Sequence, residues 1–168
     1  MTNLVARAIK FATGKHRDQK RYGGEPYIVH PIAVAEIVAS VGGTEEMIAA
    51  AILHDTLEDT ETTKLELLET FGANVTNLVI QLTNVFTSKA YPGVSRAERK
   101  TLEGARLAMI SPEAQTIKVA DILHNTPGII KHRPGFAPLW LAERKAWLAV
   151  LTKADPKLLN LANGEITP

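Results

Sequence analysis

Hydrophobic residues recur with a helical period along almost all of this chain, and nowhere with the every-second-residue alternation of a strand. Leu4, Val5, Ala8, Ile9 and Ala12 share one helical face. Punctuation divides the rest. Residues 14–27, GKHRDQKRYGGEPY, carry paired glycines and a proline and read as a loop. It is the most basic loop of the chain, with Lys15, Arg17, Lys20 and Arg21. Pro31 suits a first helical position, where its missing N–H costs nothing, and Gly42-Gly43 closes that helix. Thr44, with Glu45 and Glu46 behind it, opens the next. Thr62 or Thr63 caps the short helix KLELLETF, which stops at Gly72, and residues 73–83 form another. Residues 84–94 read as an irregular loop. Ser95 and Glu98 make a capping box for RAERKTLEGARLAMI. Ser111-Pro112 starts PEAQTIKVADILHN, expected to stop at Thr126-Pro127-Gly128. APLWLAERKAWLAVL is helical, and Asp155-Pro156 starts a last short helix. The pattern predicts an all-α bundle.

Bulk properties narrow the class. At 168 residues the chain is expected to be one domain, 1–168, with a continuous core. A net charge of +1 gives no global field for nucleic acid, so no such partner is expected. There is no cysteine, so any metal must sit on His, Asp or Glu. The first residues are broken by Arg7 and Lys10 and lack a signal-peptide core. No apolar run approaches the roughly 20 residues that span a bilayer. A soluble, cytoplasmic protein is the expectation, and the sequence sets no oligomeric state.

Residues 49–61, AAAILHDTLEDTE, are the electrostatic oddity. An apolar, alanine-rich run opens directly into a histidine and four acids. On a continuous helix, His54, Glu58, Asp55 and Asp59 would fall at about 0°, 40°, 100° and 140°, one broad polar face. Leu53 and Leu57 would lie on another side, toward the core. Crowded carboxylates are unfavourable without a cation. Two more ligand candidates stand in similar settings: His30, just before Pro31, and Asp121, after Val119-Ala120. Two imidazoles and two carboxylates suit Mn²⁺, Fe²⁺ or Zn²⁺ better than Ca²⁺. A divalent ion would offset the repulsion and acidify a water, which Glu58 and Asp59 could orient or deprotonate. The competing reading is a hydrogen-bonded core histidine beside a solvated acidic face.

The H…HD…D pattern resembles the signature of the HD metal-dependent phosphohydrolases. KHRDQKRYGGEPYIVHPIAVA, AAAILHDTLEDTETT, FGANVTNLV, RAERK and IKVADILHN together resemble the hydrolase domain of alarmone-degrading enzymes. The chain looks like a stand-alone small alarmone hydrolase, and the likeness runs from the first helix to Asn125. The resemblance implies an all-helical HD-domain bundle with one Mn²⁺ on His30, His54, Asp55 and Asp121. It implies removal of the 3′-pyrophosphate from guanosine tetra- or pentaphosphate, with Glu58 and Asp59 placing or activating the water. Arg21 matches the family arginine against the purine, Asn125 a residue near the ribose, and Arg96 a basic residue for the phosphates.

The highly charged substrate calls for cations, and Lys20, Arg21, Arg96, Arg99 and Lys100 are candidates. Arg99 and Lys100 read better as solvated surface charges. His16 and His124 read as structural or ligand-supporting residues, since four better ligands exist. The chain departs from the family at Tyr22, where a second basic residue is usual, and at TPGII after Asn125, where a charged helix is usual. Tyr22 could stack or donate a hydrogen bond but brings no charge. Both departures touch base recognition, so adenosine alarmones of the ppApp type stay beside ppGpp as expected substrates. Two other readings remain: an HD phosphohydrolase acting on a nucleoside monophosphate or NADPH, and a non-catalytic alarmone-binding module.

Overall fold

A computed structural model describes residues 3–166. They form nine helical elements: α1 (Asn3–Lys15), α2 (Val29–Ser40), α3 (Glu45–Leu53), α4 (Thr56–Asp59), α5 (Lys64–Leu82), α6 (Arg96–Leu107), α7 (Pro112–His132), α8 (Ala137–Leu148) and α9 (Pro156–Ile166). Among the described residues the only extended pairing is an isolated bridge between Lys20 and Pro26.

The capping side chains act where the sequence places them. Thr44 accepts from the Met47 N–H, Thr63 from Glu66, Ser95 from Glu98 and Ser111 from Ala114. Gly72 breaks α5 with φ 81°, a left-handed conformation that a glycine adopts without strain.

α3 is the hub. Met47 and every residue from Ala49 to Leu53 are buried. α1, α2, α5 and α7 pack around it. A helix apolar on all sides belongs inside a bundle, and its alanines let neighbouring helices approach closely. The core continues through Ile117, Val119, Ala120 and Ile122 of α7 to Trp147, Leu148 and Leu158.

Three expectations are corrected. AAAILHDTLEDTE is not one helix: α3 stops at Leu53, and His54 and Asp55 form a turn before α4. The shared polar face is therefore built by a bend, with Asp55 at φ −94°, ψ −5°. Second, α7 does not stop at Thr126-Pro127-Gly128 but runs through Pro127 to His132. Proline removes one backbone donor there. The turn beyond it is held by buried Ile129, whose carbonyl accepts from Arg133 N at 2.9 Å. Third, α2 begins at Val29, which puts Pro31 third in the helix.

Candidate metal centre and its cleft

The apolar hub helix delivers His54 straight out of the core. The His54 ring donates from Nδ1 to the Ala51 carbonyl at 2.7 Å, which aims Nε2 away from the helix. His54 is 3% exposed, and its Nε2 is buried with no hydrogen-bond partner. His30, in the first turn of α2, places Nδ1 2.8 Å from Nδ1 of His124 and so turns its own Nε2 the same way. Asp121 arrives from the middle of α7. Ligand-type atoms of His30, His54 and Asp121 all lie within 4.8 Å of one another. Asp121 Oδ1 is 3.2 Å from His30 Nε2 and 3.7 Å from His54 Nε2. Asp55 closes the knot, with Oδ2 3.0 Å from His54 Nε2 and 3.7 Å from His30 Nε2.

Burial and close charges pull the groups of this cluster in opposite directions. Burial pulls the His54 imidazole down, but Asp55 and Asp121 outweigh it and raise it to about 10. Burial lowers His30 and wins there, despite Asp121. Burial raises the Asp55 carboxyl, yet His54 holds it below the usual carboxylate range. Asp121 is likewise pushed up by burial and brought well down, chiefly by Lys118. A buried imidazole nitrogen facing two ionised carboxylates is a donor set that fits a divalent ion.

Around the cluster stand residues that sequence reasoning passed over. The Tyr27 hydroxyl donates to Asp55 Oδ2 at 2.6 Å and lies 3.3 Å from Asp59 Oδ2. Burial, then Asp55, pushes this phenol above its usual range. Lys118, also buried, donates to Asp121 Oδ2 at 2.9 Å. The i,i+3 spacing of Lys118 and Asp121 was a readable signal. Arg144 packs its guanidinium on Trp147 at 3.9 Å and Trp140 at 5.0 Å, and its buried Nη1 has no hydrogen-bond partner. Nothing in the local sequence singles it out, because α8 returns to the site through the fold.

The two remaining acids part company. Glu58 lines the small recess of about 140 Å³ at the cluster, together with Asp55, Asp121, Lys118 and Arg144. Asp59 turns toward Tyr27, and its carbonyl accepts from Gln19 Nε2 at 2.7 Å. Burial and the charges of Asp55 and Glu58 raise its carboxyl to about 6.

The recess shares walls with two further clefts. On one side it shares Tyr27, Asn125 and Trp140 with a cleft of about 320 Å³ that also holds Lys20, Arg21 and Tyr22. There Arg21 Nη2 donates to Asn125 Oδ1 at 2.9 Å, and Asn125 Nδ2 donates to Asp121 Oδ1 at 2.7 Å. Tyr22 is 59% exposed and carries the Arg133 guanidinium 5.0 Å from its ring. Arg21 and Tyr22 also border a larger, mostly apolar hollow of about 640 Å³ against Gly128, His132 and Leu161. On the other side the recess shares Glu58 and Asn84 with a basic cleft of about 200 Å³ holding Arg96, Arg99 and Lys100. Arg96 is not at the cluster: it forms a two-pronged pair with Glu143, at 2.7 and 2.9 Å. Lys100 is more than a surface charge. It is half-buried, 5.0 Å from the Trp147 ring, and burial with Arg144 and Arg96 nearby lowers it to about 8.

An all-helical bundle gathers two histidines and two aspartates from α2, the α3–α4 turn and α7 into one group that could hold a metal ion. A model described as the HD domain matches residues 8–134, and the chain belongs to that family. The human guanosine-3′,5′-bis(diphosphate) 3′-pyrophosphohydrolase MESH1 is 38% identical over 151 residues, covering 87% of this chain and 81% of that protein. An Aquifex aeolicus enzyme of the same function name is 43% identical over 122 residues, 72% of this chain but only 17% of that protein. A solved structure described as a metazoan ortholog of SpoT that hydrolyzes ppGpp superposes with a TM-score of 0.87 at 25% identity, covering 98% of this chain and 94% of that one. Among the described residues no helix is long and apolar enough to cross a membrane.

Proposed function

We propose that this protein is a Mn²⁺-dependent hydrolase that removes the 3′-pyrophosphate from alarmone nucleotides, ppGpp and pppGpp and also ppApp. The observation that carries the reading is the cluster's place between two clefts with which its recess shares walls. A purine-sized space lies beyond Arg21 on one side, and cations lie on the other. Similarity over most of its length to a relative named for this reaction supports the same substrate.

In this account His30, His54, Asp55 and Asp121 hold the ion, and His124, Tyr27 and Lys118 fix the orientation of those side chains. A divalent ion held there would supply Lewis acidity. Glu58 takes a proton from the attacking water, and Asp59 holds the water side of the site with Tyr27. The water oxygen attacks the phosphorus that bears the ribose 3′ oxygen. The bond to that oxygen breaks, a proton ends on the 3′ hydroxyl, and pyrophosphate departs. Arg144, with an unpartnered nitrogen in the recess, and Lys100 and Arg96 beyond it, neutralise the phosphates. Arg21 and Tyr22 offer flat faces to the base, and Asn125 lies between Arg21 and Asp121 beside the ribose. The site of action is proposed to be the cytoplasm.

The deciding assay incubates the purified protein and Mn²⁺ with ppGpp, ppApp, GMP and NADPH and resolves the products. Pyrophosphate from an alarmone supports this reading. Orthophosphate from GMP or NADPH alone replaces it with another HD phosphohydrolase. Binding without turnover at every metal concentration makes the chain a binding module.

A further inference from the structure

We propose that Asn84 is a positioning residue for Glu58, seated by the buried carboxylate of Glu103. The inference rests on the role given to Glu58 above and names the group that aims it. Glu58 lies in a four-residue helix on the exposed rim of the site, where a glutamate is ordinarily free to swing. Here it is clamped. Asn84 donates its backbone N–H to Glu58 Oε2 at 3.1 Å. It also donates Nδ2 to Oε1 and to Oε2, each at 2.9 Å. These contacts fix the amide assignment, since only the nitrogen end can face a carboxylate.

Asn84 itself lies in the irregular stretch after α5, so something must hold it. Glu103 of α6 does so. The residue is 1% exposed, and its Oε2 accepts the N–H groups of Val85 and Phe86 at 3.0 and 3.2 Å. Oε1 is taken by Arg106 at 2.8 and 2.6 Å, and Arg106 also donates to the Gln81 carbonyl at 2.8 Å. A buried carboxylate with four N–H partners is a rigid anchor. It joins the end of α5 and the two residues after Asn84 to α6.

A second observation separates this arrangement from a plain structural tie. Asn84 Oδ1 is buried without a hydrogen-bond partner, in a residue that lines both the cluster recess and the basic cleft. Buried amide oxygens are ordinarily satisfied. An amide that leaves its oxygen unpaired while both of its N–H groups hold Glu58 is kept in place for that clamp rather than for its own hydrogen-bond satisfaction.

The test is a double-mutant cycle on the full chain with Mn²⁺ and ppGpp, alongside melting temperature and bound metal. Asn84→Ala is expected to lower kcat on the order of 10²-fold, within the range of positioned acid–base catalysis, with KM and bound metal nearly unchanged. Asn84→Asp keeps the shape and Oδ1 but removes the side-chain donor, and is expected to lose as much. In a Glu58→Gln background, Asn84→Ala should add almost nothing, because residues that act as a unit are not additive. A full multiplicative loss in that background, or undiminished kcat in Asn84→Asp, overturns the proposal. Glu103→Gln guards against misfolding of the Asn84 variants: it leaves Asn84 in place and should give a smaller loss of the same kind, in kcat alone. If the wild type spares alarmones but cleaves NADPH or GMP, the alarmone reading fails, and the same cycle on that substrate still decides the role of Asn84.

Discussion

At the cluster, His30 and His54 are 1% and 3% exposed, and each ring is turned by a hydrogen bond on its far nitrogen. At the other end of the cleft, Tyr22 is 59% exposed and touches Arg133 from a different part of the chain. The reaction centre is over-determined by burial and paired hydrogen bonds. The end proposed for the base is held by the hydrogen-bonded line from Arg21 to Asn125 to Asp121. With the base placed there, as proposed, substrate discrimination should change with fewer substitutions than the chemistry does.

The contrast can be broken in order of effect. His54→Ala or Asp121→Ala should abolish metal retention and turnover together, measured by metal analysis of the purified protein and by product assay. Glu58→Ala should keep the metal and lose about 10²- to 10⁴-fold in kcat. Full activity in that variant would remove Glu58 from its role. His124→Ala, which frees the back of His30, should weaken metal binding about 10- to 100-fold, read by titration with a competing chelator. At the base end, Arg21→Ala should raise KM for every purine alarmone with little change in kcat, as loss of uniform binding does.

The smallest effect is a pH dependence. Lys100 is lowered to about 8, so the free enzyme loses this phosphate-facing charge as pH rises through 8. Accordingly, kcat/KM should fall on that limb, since it reports groups of the free enzyme. Lys100→Arg, charged throughout, should flatten it.

How much of this could be read beforehand follows from where each residue gets its neighbours. His54, Asp55 and Glu58 are close in sequence, and the apolar run before them announced a polar group leaving the core. Caps at Thr44, Thr63, Ser95 and Ser111 are local chemistry and were legible. The bend at His54-Asp55 was not, because a uniform helical angle already put the acids on one face. α7 continuing past Pro127 was hidden for a related reason: tertiary packing of Ile129 outweighs a local breaker. Tyr27, Asn84 and Arg144 were invisible, since each gains its role through a contact formed only in the folded chain. Tyr27 reaches Asp55 across 28 residues, and Asn84 reaches Glu58 across 26.

In the proposed reaction, water attacks the phosphorus that bears the 3′ oxygen. One turnover experiment in oxygen-labelled water, with Mn²⁺ and ppGpp, tests this directly. Pyrophosphate should carry one labelled oxygen and GDP none, and neither should form when the metal is chelated. Label in the nucleoside product, or orthophosphate in place of pyrophosphate, would contradict it.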